Sequence, residues 1–254
     1  MTARRSLAAV IALMAITLAG CSSAPPPPTP TPTPTAADGS STHVIQAADG
    51  YAFSARVWRV DPKRVAIYLH EYRDDQTGWW PIATTVRRLP VSSITFDFRG
   101  HGTDEDNPDD VPGMVEDARA AVAFARAQGF DQIMLIGAGM GAAIAVQVAA
   151  EQDDLRVIGL STPSAFDLLD TLAAMPRVAG RIALVATEDD LSAAHSLGAL
   201  QAAGEVPEAY VRLYPGRAHG VDMLRPTGDE PGVALAFVNE LMEEFSGQTT
   251  GVIR

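Results

Sequence analysis

The sequence predicts an α/β protein, a mostly parallel twisted sheet of about eight strands with helices on both faces. Three observations predict it. Short continuous apolar runs such as Val65-Ala66-Ile67-Tyr68-Leu69 read as strands buried on both faces. These runs alternate with stretches of helical periodicity, the pattern of right-handed βαβ crossovers. Finally, Ile133-Met134-Leu135-Ile136-Gly137-Ala138-Gly139-Met140-Gly141-Ala142-Ala143-Ile144 reads as a strand, a hard turn with Gly at every second place, and an apolar helix.

The N-terminal residues stand apart from this pattern. Arg4 and Arg5 precede an apolar run from Leu7 to Leu18 that is too short for a stable bilayer span. It ends in Leu18-Ala19-Gly20-Cys21, which resembles a bacterial lipobox. Residues 1–21 are then a lipoprotein signal peptide. The resemblance implies that Cys21, the only cysteine of the chain, becomes a lipidated (palmitate-type) N-terminus, which exports the protein and anchors it to the cell-envelope membrane. A plain secretory signal that happens to contain a cysteine is the other reading. Residues 22–42 follow with Pro25 to Pro28 and alternating Thr-Pro, a composition that favours polyproline II and forms no core. Such a stalk of roughly 20 residues at about 3.1 Å each reaches about 60 Å. Residues 43–254 make one domain's worth of chain.

Charge excludes some partners. The net charge is −12 and Lys63 is the only lysine, which argues against nucleic acid and against a polybasic membrane face. Attachment to a membrane then comes from lipid. Past Cys21 there is no cysteine and so no disulfide.

Within the domain, His43 to Val60 holds two extended runs around Asp49-Gly50, a two-residue hairpin signal. The Val65 strand follows, then a helix over Trp79 to Leu89 with Ile82, Ala83 and Val86 inward, and a strand over Val91 to Phe98. Met114 to Gln128 places Val115, Ala118, Val122 and Ala125 on one helical face and closes at Gly129. After the Gly-rich turn and its helix come strands at Val157 to Ser161 and Ile182 to Ala186. An alternating edge strand spans Ala209 to Tyr214, and a closing helix spans Val233 to Phe245. Only about 20 residues separate the Val157 and Ile182 strands, too few for a large lid domain.

Four motifs in this order carry a resemblance. Gly137-Ala138-Gly139-Met140-Gly141 has the layout of the nucleophile elbow, G-x-S-x-G, with Gly139 in the nucleophile's place. Asp97-Phe98-Arg99-Gly100-His101-Gly102 looks like the turn after the preceding strand. Thr187-Glu188-Asp189-Asp190 looks like the turn presenting a catalytic acid, and Arg217-Ala218-His219-Gly220 like the loop presenting the base. Together they resemble the α/β-hydrolase superfamily over nearly all of residues 43–246, as a serine esterase- or dienelactone hydrolase-like minimal fold without a large lid.

The resemblance implies a catalytic set of a nucleophile, His219 as base and Asp190 as its orienting acid, with Asp189 as the alternative acid. It implies an oxyanion hole from the N–H groups of Met140 and Tyr72. Gly139 has no side chain with which to attack. Glu71 stands where the family often has Gly, and its carboxylate opposes a developing oxyanion if it points inward. His219 also reads as a leftover loop histidine, and Asp190 as the N-cap of a helix starting near Leu191. Ser161, with Thr162 beside it, is either a substitute nucleophile or a cap for the segment starting at Pro163.

No cofactor is expected. His70, His101 and His219 come from three loops without ligand spacing, so no metal is expected. Thr103 to Asp110 is acidic but lacks the Gly and Glu of a calcium loop. Trp79 and Trp80 are candidates to line the pocket. These residues leave a catalytically impaired binder of a small molecule or partner, an active acyl-ester hydrolase using Ser161 or an activated water, and a purely structural role.

Overall fold

The computed structural model describes residues 35–103 and 107–248. The expected signal peptide, Cys21, most of the Pro/Thr-rich stretch and the middle of the acidic loop therefore lie outside the described residues. Eight strands form one sheet in the order β1-β2-β4-β3-β5-β6-β7-β8. The strands are β1 (Ser41–Gln46), β2 (Ala52–Trp58), β3 (Arg64–Leu69), β4 (Ser92–Phe96), β5 (Gln132–Ala138), β6 (Leu155–Leu160), β7 (Ile182–Thr187) and β8 (Val211–Tyr214). β1 pairs antiparallel with β2 and β2 with β4, while every neighbouring pair from β4 across to β8 is parallel.

Alternation along each strand fixes what each face buries. In β5, Ile133 and Leu135 join one core cluster, and Met134, Ile136 and Ala138 the other. The first cluster is covered by α2 (Val111–Ala127), α3 (Met140–Ala149) and α5 (Leu191–Ala203). The second is covered by α1 (Trp80–Val86) and α6 (Leu235–Ser246). A short α4 (Thr171–Ala174) lies in the connection between β6 and β7. No helix among the described residues is long and apolar enough to cross a membrane.

Several boundaries move from their expected places for identifiable reasons. Asp38 accepts bonds from Ser40 and Arg56, and Arg87 bonds its carbonyl. The last residues of the 22–42 segment thus belong to the folded part. The hairpin turn is longer than two residues: it closes with Ala47 N–H donating to Tyr51, and Gly50 has φ +92°. α2 starts at Val111, three residues before Met114, because Asp110 accepts from the Gly113 N–H at 3.1 Å and Pro112 follows at the first turn.

One buried ion pair ties the early strands to the layer beneath. Asp117 of α2, whose side chain is 0% exposed, accepts from the Arg99 N–H at 3.0 Å and from its guanidinium at 2.7 Å. Arg99 also reaches Asp49 of the hairpin turn at 2.6 Å. Burial raises the pKa of Asp117, and the Arg99 bonds pull it back toward the charged form.

In this topology β3 lies between β4 and β5, so the chain leaves β3 to one side and returns on the other. Ligands of open α/β sheets settle beyond the strands' carboxyl ends at such a reversal. Residues 70–72 and 139–140 follow those two strands.

Candidate active site

The elbow is held by its glycines. Gly139 adopts φ +51° and ψ −117°, a conformation that costs an L-residue strain of order 1–3 kcal/mol and costs Gly none. A Cβ at Gly141 would lie 2.3 Å from the Leu69 carbonyl oxygen, so only Gly lets α3 start this close to the end of β3. Gly139 N–H donates to Leu160 at 2.9 Å, which ties the turn to β6. Met140 is the first helical residue, and its N–H belongs to the donors that a helix start leaves without an intrahelical acceptor.

The acid and base arrive from the other side. Asp190 occupies the N-cap position of α5 but makes no side-chain cap bond. Instead its Oδ2 lies 2.6 Å from His219 Nδ1 and accepts the Ser161 hydroxyl at 2.9 Å. A carboxylate accepts, so Nδ1 carries a proton and Nε2 is left to face the cleft. Asp190 is thus the partner of His219, and Asp189 is not. Ser161 is bonded into the same cluster. Its hydroxyl donates to the acid and accepts from the Gly220 N–H at 3.0 Å, so it caps nothing at Pro163 and lies on the acid's side of the imidazole. Thr162 is buried and its hydroxyl sits against Gly159.

Glu71 points inward. Its Oε2 is 3.4 Å from His219 Nε2, and the Val221 N–H near the carboxylate favours its charged form. A Cβ at Gly220 would meet the same carboxylate at 2.3 Å, and one at Gly139 would lie 3.3 Å from Glu71 Cβ and 3.2 Å from His219 Nε2. Two glycines therefore make the room that the carboxylate fills. Burial raises the pKa of Glu71, with His219 opposing the rise and Asp74 and Asp222 adding to it.

His70 fixes where Glu71 stands. The Phe98 N–H donates to His70 Nε2 at 3.0 Å, so the proton is on Nδ1, which donates to the Glu71 carbonyl at 2.8 Å. Burial lowers the His70 pKa to about 4, and the ring stays a neutral brace. Its ring packs at a tilt against His101, the centroids 5.1 Å apart. No group of three or more metal-ligating side chains occurs among the described residues.

The resulting cleft has a volume of about 470 Å³ and is lined by Glu71, Tyr72, Gly139, Met140, Phe166 and His219 among others. Neither tryptophan lines it. Trp79 is buried in the second core cluster, and Trp80 packs against that cluster beneath the Arg56 guanidinium. Tyr72 and Phe166 supply the aromatic wall instead, their ring centroids 5.9 Å apart. Phe166 was not singled out by the sequence, since nothing local marks the loop after β6 as reaching the elbow.

The sequence model of the alpha/beta hydrolase family matches residues 50–234. Among solved structures, the chain is similar to an esterase from Pyrococcus furiosus (TM-score 0.66, 16% identity, 84% of this chain and 91% of the other). It is likewise similar to a dienelactone hydrolase from Anabaena variabilis (TM-score 0.65, 14% identity, 82% and 97%). An alpha-beta serine hydrolase homologue from Coxiella burnetii also matches (TM-score 0.59, 17% identity, 82% and 97%). None of the curated protein sequences compared with the chain matches it.

Proposed function

The chain belongs to the alpha/beta hydrolase family, and from that premise we propose that it is a catalytically impaired member, exported and held at the cell envelope through Cys21, that binds a small molecule in the cleft at the elbow. The single observation that carries this reading is the exchange at the elbow. Gly139 takes the backbone conformation of the nucleophile position without a side chain, and the carboxylate of Glu71 fills the adjoining space beside His219. A negative charge there opposes an oxyanion formed against the Met140 N–H. The anchoring rests on the lipobox-like Leu18-Ala19-Gly20-Cys21.

One observation favours residual hydrolysis as a second reading: the Asp190–His219 pair is intact at 2.6 Å and orients Nε2 toward the cleft, as activation of a water requires. Hydrolysis of short acyl p-nitrophenyl esters separates the two. Wild type is expected to be silent. Gly139→Ser combined with Glu71→Gly restores a nucleophile and removes the opposing charge together, and is expected to gain turnover that His219→Ala abolishes. Turnover by wild type that His219→Ala removes would overturn the impaired reading and establish the water mechanism. Partial loss of a triad leaves little catalysis, so a real signal must exceed the buffer rate clearly.

A further inference from the structure

Glu71 is a mostly buried carboxylate whose one ion-pair contact among the described residues is with the His219 ring, and no arginine or lysine reaches it. Its side chain is 18% exposed, and its neighbours are the Val221 N–H, the His219 ring at 3.4 Å, and the carboxylates Asp74 and Asp222. Among the lining residues, three carboxylates face one guanidinium, that of Arg225, which is itself bound to Asp222 at 2.7 Å. Charges buried this far are ordinarily compensated by a counter-ion.

Part of the lining is apolar. Pro163 and Phe166 of the loop after β6, and Ala193 at the start of α5, line the cleft. The same two segments carry Leu168 and Leu191, which are 77% and 76% exposed. Leu168 sits at the tip of a tight turn closed by paired bonds between Phe166 and Leu169, and Leu191 is the first residue of α5. Large apolar side chains left exposed on the segments that line a concave site favour an apolar ligand.

Resting on the binding reading above, we infer that the cleft takes an aliphatic ammonium compound, its protonated amine seated against Glu71 and its chain laid over Phe166 toward Leu168 and Leu191. Tyr72 and Phe166 line the cleft beside Glu71, their ring centroids 5.9 Å apart, and the Arg73 guanidinium lies over the Tyr72 ring at 5.3 Å. The chain removes Leu168 and Leu191 from water, which tightens binding by up to about fourfold for each methylene fully buried.

The test is calorimetric titration of the full chain, in detergent-free buffer and below micelle concentrations, with decylammonium, methylammonium, decanol and decanoate. Decylammonium is expected to bind at least about tenfold more tightly than decanol, and decanoate more weakly than both. Glu71→Gln is expected to bring ammonium and alcohol within about threefold of each other while leaving the decanol affinity in place, which a misfolded variant would lose. Leu168→Ser with Leu191→Ser is expected to flatten the difference between decyl and methyl chains but keep the preference for ammonium. Decanoate binding as tightly as decylammonium, an ammonium preference that survives Glu71→Gln, or no binding by any probe would each overturn the proposal. The ester assay is independent of this outcome: silence there with no ammonium binding removes the ligand class and leaves the impaired elbow, whereas wild-type turnover removes the reading beneath it.

Discussion

Asp117 and Glu71 are both carboxylates taken out of water in the same fold, and their surroundings differ in kind. Asp117 lies in the fork of Arg99, with a backbone N–H as a further donor, on a helix sealed beneath the sheet. Glu71 lies on a loop at the mouth of a cleft, with a half-exposed imidazole at 3.4 Å and two other acids nearby. Burial raises the pKa of both. The first charge is answered within the chain, as a structural group requires. The second is answered only in part, as expected where a ligand completes the site.

Removing the answer at the first site gives the largest effect. Arg99→Ala is expected to lower the unfolding free energy by about 3–5 kcal/mol, because it strands a buried charge. Urea denaturation measures it, and Arg99→Ala combined with Asp117→Ala is expected to cost less than the two single losses added. An Arg99→Ala loss below about 1 kcal/mol would mean that Asp117 is no better compensated than Glu71, and the contrast would collapse.

The acid–base arm of the site tests the contrast from the opposite side, at intermediate size. Ser161 links β6, the Asp190 turn and the His219 loop through two hydrogen bonds. Ser161→Ala leaves the Gly220 N–H without its acceptor and is expected to cost about 1–3 kcal/mol. Any ester turnover should stay within a fewfold of wild type in the folded variant. Loss of turnover with unchanged stability would instead make Ser161 a participant in the chemistry. These bonds hold three loops together whether or not the site carries out chemistry.

How much of this the sequence carried depends on distance along the chain. β3, β5 and β7 were readable as continuous apolar runs, and the order of Gly139, Asp190 and His219 was readable from turns that each hold only a few residues. Asp190 was read ahead of Asp189, but the one-residue offset stayed open, since it is decided by where α5 starts. The bonds of Ser161 were not legible because its partners, Asp190 and Gly220, lie 29 and 59 residues away and meet it only once β6 and β7 are paired. The direction of Glu71 was open in sequence for the same reason. It turns inward because Gly139 and Gly220, from two other loops, leave the space, and because His70 pins its carbonyl.

Glu71 itself gives the smallest effect and the sharpest one. Its pKa in the folded chain lies above that of an unfolded glutamate, which is about 4.3. Between those two values the native state holds a proton that the unfolded chain has lost, so stability falls as pH rises through that window. Below the window both states are protonated, and nothing is lost. Glu71→Gln cannot titrate, so its melting temperature relative to wild type is expected to climb as pH rises above about 4.3 and to level off once the folded-state carboxyl has ionised. Thermal melts of the two proteins across that range measure the climb. A flat difference would show Glu71 to be as well answered as Asp117. Adding decylammonium to wild type at pH 8 is expected to close the gap, since the ligand supplies at Glu71 what Arg99 supplies to Asp117.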